Sequence, residues 1–151
     1  MVHDDERSAL RTVPPAVPRQ ERLRFSDFTM ERTPAGRVSC RVTLEFGPGE
    51  FVSGQTAGEA STGGETRLGA EAAIRALSAF TNGAIVLELV GVKVVRAFDA
   101  NVVIASLRYR GASGNENLLG CYLTNGDLVR GAALAVLNAT NRLLSDFILA
   151  R

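Results

Sequence analysis

A chain of 151 residues is long enough for one domain with a substantial interior and does not require a second. Its 17 basic and 16 acidic side chains nearly cancel, which argues against nucleic acid, an anionic membrane or a polyanionic substrate as partner. No apolar run approaches the length of a membrane span and the start lacks a basic-then-apolar secretion layout, so a soluble, cytoplasmic protein is expected.

Residues 1–21 read as a disordered or extended leader, charged at Asp4, Asp5, Glu6, Arg7 and Arg11 and stiffened by Pro14, Pro15 and Pro18. The one histidine, His3, lies there, which removes histidine-based catalysis and most zinc chemistry from a folded site. From Arg22 the pattern turns strand-like. Leu23, Phe25, Phe28 and Met30 make a first strand that Thr33-Pro34-Ala35-Gly36 ends. Val38, Cys40, Val42, Leu44 and Phe46 then alternate with Arg37, Ser39, Arg41, Thr43 and Glu45, the period-two pattern of a strand with one wet face. Gly47-Pro48-Gly49 turns the chain into a shorter third strand over Phe51 to Thr56.

A small-residue loop, Ala57 to Glu65, leads to a first helix carrying Leu68, Ala72, Ile74, Leu77 and Phe80. Thr62 with Glu65 is a capping-box pattern, and Thr81-Asn82-Gly83 supplies residues that tolerate positive φ at a helix end. The order then repeats. Ala84 to Val95 is an apolar strand, Phe98-Asp99-Ala100-Asn101 a turn, Val102 to Tyr109 a second strand, and Leu118 to Leu123 a third, reached through the Gly111 to Asn115 turn. Thr124 and Asp127 open a long helix in which Leu128, Ala132, Ala135, Ala139 and Leu143 recur at helical spacing. Val129, Ala133, Val136, Leu137, Leu144 and Ile148 widen its apolar arc, so two sides need cover: its own sheet, and a second copy of the chain or another protein.

These readings predict an α+β fold, a tandem βββα-βββα pseudo-twofold repeat of antiparallel sheets covered by two helices. The first unit spans 22–83 and the second 84–151, together forming one domain. Gly54 and Gly120 fall at matching places in the two third strands. Cys40 and Cys121 lie in apolar runs and are expected as two buried free thiols. No cofactor and no metal are expected.

The second half resembles the C-terminal regulatory domain of alpha-isopropylmalate synthases and citramalate synthases. The likeness is carried by the Gly120 strand, the short loop to Gly126-Asp127, and the alanine-rich helix ending Leu137-Asn138-Ala139-Thr140-Asn141-Arg142-Leu143-Leu144. The family's run there is a glycine strand, then Thr-Asp opening a helix that closes on Asn-Ala-Leu-Asn-Arg. Asp127 keeps its distance from Asn138, while Gly126 stands where the family has Thr and Thr140 where it has Leu. The match covers 84–148. The first half fits by pattern alone, with a longer Thr/Gly-rich segment in place of the family's Gly-Pro-Val-Asp-Ala loop. The resemblance implies a dimeric βββα-βββα module that binds an end-product amino acid or related effector near the dimer interface and throttles a separate catalytic barrel. The 151 residues leave no room for such a barrel, so a stand-alone, non-catalytic regulatory module with a catalytic partner protein is implied.

Two helix starts preceded by small polar residues present free N–H groups and partial positive charge, suited to a carboxylate. The candidate ligand-binding residues are therefore Gly58, Thr62, Gly63, Gly64 and Glu65 at the first start, and Thr124, Asn125, Gly126 and Asp127 at the second. Ordinary capping needs the same residue types. Asn138 and Asn141, amides in an apolar helix, read as satisfied hydrogen bonds or dimer contacts. Arg108 and Arg110 share a strand face, either solvated or anion-binding. No catalytic residue is identified, since the acids are scattered and no Ser/His/Asp, Walker, Rossmann or metal motif occurs. Two other readings stay open: a small biosynthetic enzyme or accessory protein with a pocket between sheet and helices, using Tyr109, Tyr122 or the arginines, and a scaffold subunit whose Pro-rich leader docks a partner.

Overall fold

A computed structural model of the chain describes residues 22–61, 63–112 and 114–151. The expected leader with His3, Thr62 of the first helix-opening loop and Ser113 lie outside the described residues.

The order is β1 (Leu23–Arg32), β2 (Arg37–Phe46), β3 (Glu50–Glu59), α1 (Gly64–Thr81), β4 (Val86–Ala97), β5 (Ala100–Gly111), β6 (Gly114–Thr124) and α2 (Leu128–Leu149). This is the expected βββα-βββα arrangement. Each strand trio is an antiparallel meander, β1-β2-β3 in one sheet and β4-β5-β6 in the other. The turns follow the residues that permit them: Gly36, Gly47 and Gly49 lie at positive φ, and Asn82 with Gly83 ends α1 in the left-handed region. Between β4 and β5 the turn is tighter than the sequence implied. Only Phe98 and Asp99 lie outside the strands, both left-handed (φ 54 and 59).

The repeat extends to irregularities. Register slips between Phe25 and Asp27 in β1 and between Leu89 and Gly91 in β4, leaving Ser26 and Val90 as bulges at matching places. Each bulge shifts the inward phase by one, so Leu23 and Phe25 give way to Phe28 and Met30, and Leu87 and Leu89 to Val92.

The core is one cluster drawn from both units. Val38, Cys40, Val42 and Leu44 of β2 and Val103, Ala105 and Leu107 of β5 are buried beneath the alanine faces of α1 and α2. Each such Val or Leu contributes about 1.5–3 kcal/mol of transfer free energy. Small residues set the spacing between layers. A methyl added at Gly54 would fall inside the Ala72–Ala76 backbone of α1, and one at Gly120 inside the Ala135–Ala139 backbone of α2. Sheet and helix thus meet backbone to backbone at the same place in both units.

Each helix packs on the second and third strands of its own unit, on the other helix, and against the first strand of the other unit. The second turn of α1 meets the first turn of α2, where Gly69 lies so close to the Val129 carbonyl that no side chain fits. At the far end, the rings of Phe80 of α1 and Phe147 of α2 lie 6.2 Å apart, and Phe80 packs in a tilted contact 5.2 Å from Phe46. The helices therefore run in the same direction. The wide apolar arc of α2 is thereby covered within the chain: the side expected to meet another chain is met by α1. Among the described residues no helix is long and apolar enough to cross a membrane.

Candidate functional site

Parallel helices put both N-termini at one end of the molecule and sum their partial positive charges there. The two predicted loops are brought to that end. Beneath them lies Cys40, a buried thiol whose pKa is pushed up first by burial and then by the nearby carboxylates of Glu65 and Asp127.

The two openings are built differently. At α2 the N-cap is Asp127, whose Oδ1 accepts from the Val129 N–H at 3.0 Å and the Arg130 N–H at 3.1 Å. Thr124, expected to cap the helix, instead accepts the Gly126 N–H at 3.0 Å within the loop, because the helix starts one turn later than its hydroxyl can serve. Asn125 and Gly126 form the exposed bend between them. At α1 the N-cap is Gly63, in the left-handed conformation (φ 83, ψ −25). Among the described residues no side chain accepts from its first-turn N–H groups; the Thr66 hydroxyl turns back to the Gly63 carbonyl at 2.8 Å.

Glu65 is not a capping carboxylate. It forms a two-pronged ion pair with Arg32 from the end of β1, Arg32 Nη2 to Oε2 being 2.8 Å. That guanidinium holds the Glu65 carboxyl below its ordinary range, and the carboxylate raises Arg32 in turn. Gly58 is a strand residue: β3 runs to Glu59, pairs Gly58 with Val38, and leaves room there for the Leu68 side chain of α1. The matching place in the second unit exchanges the sizes, with Thr124 on the strand and Gly131 on the helix. Of the candidates, Gly63, Gly64, Glu65 and Asp127 belong to the shared helix-opening end, and Gly58 is packing beside it. Arg32 belongs to the site and was missed. Its signal, a basic residue ending a strand one turn before Arg37, is too common to single out.

The remaining sequence candidates are structural. Asn138 donates to the Cys121 carbonyl at 2.7 Å. Arg108 and Arg110 both face Glu88, at 3.8 and 2.9 Å. Tyr109 and Tyr122 are half-buried against the core. Cys121, expected to be buried, is exposed, because strand alternation turns it outward once Gly120 faces α2. A concavity of about 560 Å³ lies away from the helix starts, between the beginning of β1 (Leu23, Phe25) and the last turns of α2 (Asn141, Leu144, Ser145, Ile148). A second groove runs between α1 (Arg67, Ile74) and β4 (Leu87, Leu89). Among the described residues no group of three or more His, Cys, Asp or Glu side chains is placed to hold a metal ion.

No family model matches the chain, and no curated protein matches it in sequence.

Proposed function

We propose that this chain is a stand-alone, non-catalytic and homodimeric regulatory module, akin to the regulatory domain of alpha-isopropylmalate synthases, that binds a small amino acid or organic acid and acts on or with a separate biosynthetic enzyme. The observation that carries the reading is the convergence of both helix N-termini at one end of the molecule, where Gly69 of α1 meets Val129 of α2, one start closed by Asp127 and the other lacking a side-chain cap among the described residues. A ligand carboxylate is suited to the first-turn N–H groups of α1, assisted by Arg32, while an ammonium group is suited to Glu65 or Asp127. An amino acid satisfies both ends of that arrangement, and a keto or hydroxy acid satisfies one. The reading is tested by titrating isotope-labelled protein with amino acids and branched keto and hydroxy acids. Amide shifts concentrated at 63–67 and 127–130 are expected; shifts confined elsewhere overturn this site.

One observation favours a second reading. The groove between β1 and α2 has a volume suited to a small ligand and joins apolar walls to Arg22, Arg24, Asn141 and Ser145, as a small enzyme or accessory protein would require. Shifts at 22–25 and 141–149 in the same titration would favour it.

A further inference from the structure

The two units match on their inner faces and differ on their outer ones. The central outward rows of the first sheet are wet: Arg41 of β2 is flanked by Thr29 and Gln55, and Thr43 by Asp27 and Ser53, with the exposed Phe51 beside Glu45 at the end of the sheet. In the second sheet the outward rows are more apolar. Val102 is flanked by Val95 and Leu123, Ile104 by Lys93 and Cys121, and Ser106 has Leu119 beside it. Leu119 is 71% and Leu123 59% exposed, and the bulge residue Val90 is also exposed. Leaving such side chains in water opposes stability, and the sister sheet shows that the fold does not demand them.

We propose that the outer face of the β4-β5-β6 sheet binds the same face of a second copy of this chain. The proposal takes the homodimer of the functional reading and names its surface, on grounds independent of any ligand. Three features select a second copy as the occupant. Leu119, Leu123 and Val95 lie exposed together on this face, an apolar centre of the kind that a standard interface of roughly 800 Å² per partner is built around. The centre of the face carries one charge, Lys93 on an edge strand, so two copies meet without strong repulsion. A twofold interface requires a surface complementary to itself, and a flat apolar sheet meets that requirement by stacking on its copy about 10 Å away. The face also ends in a polar rim: Glu88, Arg108 and Arg110 neutralise one another at one end.

The test is the oligomeric state of the full chain by sedimentation equilibrium across the micromolar range, for the wild type, Leu119→Glu, the milder Leu123→Thr, and Ser53→Glu on the outer face of the first sheet as control. All three positions are exposed, and circular dichroism checks that each variant is folded. The wild type and Ser53→Glu are expected to be dimers, with dissociation about 100-fold easier in Leu119→Glu and measurably easier in Leu123→Thr. A second readout uses the native chain: maleimide labelling of Cys121 should slow as the protein is concentrated. A dimer undiminished in both leucine variants, with Cys121 labelling independent of concentration, overturns this surface and leaves the homodimer standing. A wild type monomeric throughout overturns both. Ligand titration of the monomeric variant then reads the ligand claim separately.

Discussion

The side-chain amide of Asn138 lies 2.7 Å from the carbonyl oxygen of Cys121, satisfying an edge-strand group that has no further strand to pair with. The first unit makes the same contact with a different residue: Arg75 donates to the Gln55 carbonyl, also at 2.7 Å. Gln55 and Cys121 each follow the glycine against which the helix packs, and Arg75 and Asn138 each lie three residues beyond the alanine carbonyl at that contact. The repeat therefore reproduces a device, and an arginine or an asparagine serves equally.

Replacing Asn138 or Arg75 by Ala should cost about 1 kcal/mol each, the typical worth of a hydrogen bond whose acceptor keeps access to water. Urea denaturation measures the loss. Hydrogen exchange should quicken in β6 for Asn138→Ala and in β3 for Arg75→Ala. Faster exchange in both sheets from either substitution would contradict the one-to-one assignment.

Gly54→Ala and Gly120→Ala should each destabilise by about 3 kcal/mol, at the upper end for overpacking, since the added methyl meets helix backbone and not a movable side chain. Gly91→Ala, with nothing within 4 Å of the new methyl, serves as the control and should change stability little. Thermal unfolding of the three variants decides the matter.

Much of this fold was legible because it rests on local pattern. Strand alternation, glycine-rich turns, helix spacing and the duplication place all eight elements, and even Gly54 and Gly120 stand out as a pair. The bulges were written in the sequence too, in Leu23 and Phe25 followed by Phe28 and Met30, and in Leu87 and Leu89 followed by Val92; a phase slip of one inside a strand is their signature. What escaped depends on contacts far apart in the chain. The second cover of α2 is α1, revealed by the Gly69–Val129 approach at one end and the Phe80–Phe147 contact at the other. The partner of Glu65 is Arg32, 33 residues earlier, so its capping-box spacing misled. Cys121 reads as apolar and buried until Gly120 is seen to take the inward place.

Asp127→Ala should cost about 1 kcal/mol by releasing the Val129 and Arg130 N–H groups. Asp127→Ser, which can still accept, should recover most of the loss. Equal destabilisation by Ala and Ser would show that the carboxylate charge, and not its hydrogen bonds, is what the helix start uses.

The Arg32–Glu65 pair should give a small acid-sensitive contribution to stability. Because Arg32 lowers the folded-state pKa of Glu65, the contribution is fully present above the ordinary glutamate range near about 4.3 and is lost as pH falls through the lowered value. The difference in melting temperature between the wild type and Glu65→Gln should be constant near neutrality and shrink in acid. The pair is partly exposed, so the difference should also fall with added salt.

The most direct test of the regulatory reading is a thermal-shift screen of the purified chain against leucine, isoleucine, the other amino acids, and branched keto and hydroxy acids. Binding to the native state must raise its stability, by about 2.7 kcal/mol at a hundredfold excess over the dissociation constant. A selective rise for one chemical class is expected, reduced in Arg32→Gln. No rise from any of these compounds, in protein that unfolds cooperatively, would contradict it.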